Sequence, residues 1–202
     1  MHAIIKVAVG VALLSAVAFQ AANQGHAAND PVPQFTRDGR LMRPTGYLEW
    51  VMVGASTGLS YAQAQQAPAA GAAPGMFHNV YLQPWAYRYV MQHGSFPENA
   101  IFVLTFYEPS RKSNPARAGF YEGQRVPGFE VHLKRKDADS TGWAFYGFGT
   151  DTTSTAAKLP GSLACYSCHK TEAAFDNAFV QFYPALRERL LAKADSQLRS
   201  AH

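Results

Sequence analysis

Five consecutive residues, Cys165-Tyr166-Ser167-Cys168-His169, hold the only two cysteines of this chain with a histidine directly behind them. Two thiols at this spacing can add to the two vinyl groups on one edge of a haem, and the following histidine is then held beneath the iron as its proximal imidazole. The same residues could instead form a structural disulfide, which an exported chain permits, or a thioredoxin-like redox pair. A redox CxxC usually opens a helix after an early strand, and it has no need of a histidine in that position. Haem attachment is the reading that uses all three residues. Cys165 and Cys168 would hold one haem c, and His169 would be the metal ligand.

The other axial position separates electron transfer from ligand binding. A small electron-transfer cytochrome c usually carries its motif near the N-terminus and an axial methionine far downstream. Here 33 residues follow His169, with no methionine and no histidine before His202. A sixth ligand would have to come from Met42, Met52, Met76, Met91, His78, His93 or His132. The methionines read as core filler, His93 as a helix-end residue favoured by the helix dipole, and His132 as a solvated strand residue beside lysines. The expectation is an iron with five strong ligands and an open distal side.

The elements that must position these residues begin after a leader. Lys6 precedes an apolar run from Val7 to Phe19, and Gly25-His26-Ala27 offers a cleavage site, the outline of a secretory signal peptide. The run is shorter than the roughly 20 apolar residues a spanning helix needs. Residues 1–27 are therefore expected to be removed and the protein to be periplasmic. Residues 28–202 remain as a single domain with enough chain for a proper core, interrupted by low-complexity Ala/Gln/Pro/Gly at 62–75.

Eighteen basic against 14 acidic residues is a mild, scattered excess, which argues against nucleic acid. Aromatics at 13% beside charged residues at 16% suit a β-rich body around a large apolar ligand. In "TGYLEWVMVG", Tyr47, Leu48, Val51 and Met52 have helical spacing up to Gly54. Strands are expected at 76–82, 100–108 (stopping at Pro109), 128–137 and 142–149. A helix starting at Pro84 and ended by Gly94 separates the first two, and a terminal helix carries Leu186, Leu190 and Leu191 on one side. The fold class expected is α+β, a mainly antiparallel β-sheet core with N- and C-terminal helices.

Helical cytochromes c′ also end in CxxCH with an open iron, but "AIFVLTFYE", "FEVHLKRK" and "GWAFYGF" are strands. The stretches "GYLEWVMVG", "VYLQPWAYRYVMQHGSFPENAIFVL", "FEVHLK", "GWAFYGF" and "CYSCHKTEAAFDNAFVQFYPAL", in this order, resemble the β-sheet cytochromes that include cytochrome P-460 and cytochrome c′-beta. The resemblance implies a mostly antiparallel β fold, one covalent haem, a five-coordinate iron and a homodimer. Members like cytochrome P-460 bond a strand lysine to the porphyrin edge and oxidise hydroxylamine. Members like cytochrome c′-beta lack that lysine and bind NO or CO in a pocket capped by apolar aromatic side chains. The lysine position falls on Leu104, and Lys112, Lys134 and Lys136 read as solvated, so the chain is closer to the c′-beta type.

By alternation Phe102, Leu104 and Phe106 share one strand face, either as a distal wall or as plain core. The resemblance also implies distal places for Phe77 and His78, and puts Glu130 where hydroxylamine-oxidising members have a proton-accepting carboxylate. Burial would raise its pKa and suit it as a general base; the alternative is a surface residue paired with a lysine. Trp143, Phe145 and Tyr146 are expected around the haem or core, and Phe175, Phe179, Phe182 and Tyr183 on the proximal side. Three functions stay open: a gas-binding haem protein, a hydroxylamine-oxidising enzyme, and an electron carrier serving a redox partner protein.

Overall fold

A computed structural model describes residues 30–59, 74–111, 115, 118–138, 141–149 and 152–200. The expected signal peptide, most of the low-complexity stretch and Lys112 lie outside the described residues. Five strands form one antiparallel sheet in chain order: β2 (Val51–Thr57), β3 (Phe77–Leu82), β4 (Ile101–Ser110), β5 (Tyr121–Lys134) and β6 (Trp143–Gly147). A two-stranded ribbon pairs β1 (Leu41–Met42) with β7 (Thr155–Ala156). Helix α1 (Pro84–His93) connects β3 to β4, and α2 (Ala164–Glu172) and α3 (Pro184–Ser200) follow the strands. The α+β class is as expected.

Local signals set some boundaries well. Pro84 occupies the first turn of α1, where its missing N–H costs nothing. Gly94 ends the helix in the left-handed conformation at φ 64°, and its N–H is donated to the Val90 carbonyl. Strands β3 and β6 lie within the expected segments. In α3, Leu186 and Leu190 are fully buried.

Three expectations are corrected. Residues 47–54 are not a helix: a single 3-10 turn at Tyr47–Glu49 gives way to β2, which pairs with β3 from Val51↔Leu82 to Thr57↔Phe77. The β-branched Val51 and Val53 suit this pairing, and Gly54 lets the strand run against the chain after α2. A Cβ on Gly54 would lie 2.7 Å from Tyr183 Cδ1. Strand β4 does not stop at Pro109 but runs to Ser110, with a register irregularity between Tyr107 and Pro109. A proline can sit at such a bulge because no ladder hydrogen bond is required of it. For the same reason β5 starts at Tyr121 and crosses Pro127 and Gly128.

The sheet is covered on both faces. On one, Leu82, Phe102, Trp143 and Phe145 pack with Trp85, Ala86 and Val90 of α1, Tyr166 of α2 and Leu186 and Leu190 of α3. On the other, Ile101, Val103, Phe129, Val131, Leu133 and Tyr146 pack with Leu41, Tyr47, Trp50 and Ala156. Strand alternation assigns each residue to its face. The helical face is incompletely filled, and its gap is the site described next.

Candidate functional site

Helix α2 presents both thiols to a cavity of about 500 Å³. Cys165 and Cys168 are half-buried and not joined in a disulfide, and their i, i+3 spacing places them on one side of the helix. Between them Tyr166 turns the other way and is buried. Its hydroxyl donates to the Leu159 carbonyl at 3.0 Å and accepts from the Phe145 N–H at 3.4 Å. This tyrosine fastens α2 to β6 and so sets where the thiols point.

His169 lies in the last turn of α2, 7% exposed, with its ring among Phe145, Phe179 and His132 at centroid distances of 4.7, 4.4 and 4.7 Å. Its Nδ1 is 2.8 Å from the Asn177 carbonyl oxygen. A carbonyl can only accept, so Nδ1 carries the proton and the Nε2 lone pair is left for a metal. Burial holds the imidazole pKa below its ordinary value, against the opposing pull of the Asn177 hydrogen bond.

The sheet supplies another wall. The cross-strand row Val80–Leu104–Glu130–Gly147 crosses it, and Val80, Leu104 and Glu130 line the cavity with His78, Phe106 and His132. Phe106 meets His78 edge-on at 4.7 Å. Its ring lies on Gly128, where a Cβ would fall 2.3 Å from Phe106 Cδ2. The pairing of β4 with β5 has a register irregularity between Thr105 and Tyr107, beside this side chain, a common place for a bulge next to a site.

Burial lowers the His78 pKa and raises that of Glu130. The Glu130 side chain is still exposed, because its neighbour Gly147 leaves open space beside it. Leu59, Met76 and Phe182 are exposed apolar lining residues at the rim.

These features fit a haem. The cavity has the size of a cofactor pocket, its walls are mainly apolar, two cysteine side chains line it, and one imidazole has its tautomer fixed. Comparison with protein-family models matches residues 44–180 to Cytochrome P460. The chain belongs to the cytochrome P460 family. No curated protein matches it. Membership implies haem c, with which Cys165 and Cys168 are compatible.

Of the residues singled out for this cytochrome P460 family chain, the cavity brings together Cys165, Cys168, His169, Leu104, His78 and Glu130. Phe102 and Phe77 are not among its lining residues. Phe102 is buried deeper, against Phe96, Trp143 and Tyr183 at 5.3 to 5.6 Å. Phe77 alternates with His78 and so belongs to the opposite face of β3. His132 is not solvated: it lines the cavity against Phe145 at 4.4 Å, and burial pushes its pKa well below the ordinary range, with His169 adding to the effect. Lys134 is not a solvated lysine either, being 18% exposed and 2.8 Å from Asp176 Oδ1. The signal for His132 was in the strand pattern, which puts it on the face of Glu130.

Proposed function

We propose that this protein is an exported, periplasmic mono-haem cytochrome that binds nitric oxide, and carbon monoxide, for NO binding or detoxification. The observation that carries this reading is Leu104. It lines the cavity between Val80 and Glu130 at the position where the resemblance puts the cross-linking lysine, and no lysine lines the cavity among the described residues. A haem held there would supply the iron that binds the diatomic ligand.

The chain's own residues would do the rest. Cys165 and Cys168 fix the haem edge by thioether bonds. His169 offers Nε2 with its ring held by Asn177. Val80, Leu104 and Phe106 keep the wall apolar, which suits a small neutral gas. Burial keeps His78 neutral to lower pH than a free imidazole. No helix among the described residues is long and apolar enough to cross a membrane. The same reading includes a homodimer and a redox partner protein that resets the iron.

Glu130 favours a second reading, oxidation of hydroxylamine without a lysine cross-link. A carboxylate facing the cavity with a raised pKa can take up a proton from a bound substrate. Spectra of the ferric and ferrous protein, with and without NO, together with the mass of the haem peptide, test both. The first reading expects a high-spin ferric iron, a spectral change with NO, a mass of chain plus haem, and no turnover of hydroxylamine. Turnover that falls in Glu130→Gln would replace it with the second, and a low-spin six-coordinate iron would overturn both.

A further inference from the structure

The turn that holds the His169 imidazole is itself held from the far end of the sheet. Ala178 N–H donates to the Phe175 carbonyl at 2.8 Å, closing a four-residue turn whose central residues are Asp176 at φ 45° and Asn177 at φ 55°. Two consecutive left-handed residues make a type I′ geometry, which Asp and Asn tolerate better than other non-glycine residues. Two non-glycine residues in this region still cost energy, which contacts from the surroundings offset.

Three contacts do so. The Trp143 indole N–H donates to the Asp176 carbonyl at 2.7 Å, and Asn177 Nδ2 donates to the Thr141 carbonyl at 2.9 Å. Lys134 Nζ reaches Asp176 Oδ1 at 2.8 Å while lying 5.1 Å from the Trp143 ring centroid. Both partners of this ion pair are mostly shielded, at 18% and 29% exposed. It is therefore less screened than an open surface pair.

We infer that Lys134 and Asp176 are positioning residues for the proximal imidazole: their ion pair, the only side-chain charge contact on this turn among the described residues, locks the turn that aims the Asn177 carbonyl at His169 Nδ1. The end of β5 thereby sets how firmly the imidazole is held, and so how tightly His169 would hold a haem iron. This inference rests on His169 being the iron ligand.

The test compares wild type with Lys134→Met, Asp176→Asn and the conservative Lys134→Arg. Asp176→Asn keeps the side-chain shape and the left-handed tolerance while removing the charge. In the haem-loaded ferrous protein, the iron–imidazole stretching band should shift down and broaden in Lys134→Met and Asp176→Asn. Loss of the imidazole from the iron should quicken by roughly 10-fold, the lower end of what losing an outer-shell partner costs a metal site. Lys134→Arg should restore both. In the haem-free full chain, nitrogen-15 NMR should show a His169 Nδ1 proton that exchanges faster in the two charge-removing variants. An unchanged band and unchanged proton exchange in folded variants would overturn the positioning role. Failure of the wild type to take up covalent haem would instead overturn the functional reading, and the NMR comparison would still decide the brace.

Discussion

The two faces of strands β4 and β5 differ in what alternation puts on them. Ile101, Val103, Phe129, Val131 and Leu133 look one way into close-packed apolar side chains, each 1% exposed or less. Leu104, Phe106, Glu130 and His132 look the other way into the cavity. Both faces are covered by protein, yet between Phe129 and Leu133 only the cavity face carries ionisable side chains, while the buried Thr105 is a polar residue on the packed face of β4. Polar groups at every second position therefore do not identify the wet side of a strand. They mark either water or a cavity, and here the helices of the C-terminal half close over them to form a cavity.

Identical substitutions on the two faces give the largest expected contrast. Leu133→Ala, at a fully buried site on the packed face, should lose about 3 kcal/mol, within the range for deleting a close-packed leucine side chain. Leu104→Ala, half-buried beside a cavity, should lose about 1 kcal/mol, since fewer neighbours lose contact. Urea unfolding of the haem-free variants measures both. Equal losses would mean that the two faces are equally packed and that the cavity wall is ordinary core.

Gly128→Ala comes next and sharpens the contrast within one strand. Its new Cβ would sit 2.3 Å from Phe106 Cδ2, a clash with a ring rather than with a flexible tip. The ring must swing off its seat, at a cost of about 1–3 kcal/mol, and its edge contact with His78 must change. The expected outcome is a lower unfolding midpoint together with altered NO association in the haem-loaded protein. An unchanged NO rate would separate Phe106 from the ligand path.

Legibility followed locality. The attachment motif and the ends of α1 are short-range features, and Pro84 and Gly94 act through their own backbone constraints. The segment 47–54 offers four apolar residues that satisfy a helical period. Its strand identity comes from β3, some 30 positions away in the register Val51↔Leu82, and no local pattern contains that. His132 and Lys134 share an alternation with Glu130, so their common face was readable. That this face meets His169 and Asp176 was not, because those partners lie about 40 positions downstream. Phe102 and Leu104 likewise share a face, and only the depth of packing under the helices separates core from cavity wall.

The acid response of the haem-free chain should be smaller than these core effects but carries a definite sign. Folded His132 has a pKa held well below the ordinary value of 6.5. As pH falls through that value the unfolded chain binds a proton that the folded chain refuses, so stability is lost on acidification. His78 and His169 are shifted in the same direction. Unfolding midpoints measured from about pH 8 down to pH 5 should therefore decline, and His132→Phe should flatten the decline more than His78→Phe does. An equal slope in His132→Phe would return that residue to solvent.

Glu130 should give the smallest effect, with the opposite sign. Burial raises its pKa in the folded chain, so the folded state keeps a proton that the unfolded state has already released. Its favourable contribution is present at low pH and is lost as pH rises through the raised value. Glu130→Gln should accordingly match wild type in acid and become slightly more stable toward neutral pH. The gain stays small because the side chain is exposed beside Gly147, where solvent screens it. Two residues one turn of the pleat apart, on one face and in one cavity, thus titrate stability in opposite directions. A Gln variant that lost stability at neutral pH would show the carboxylate to be held by a favourable partner, and the cavity wall would then be charged at the pH where a neutral gas is expected to bind.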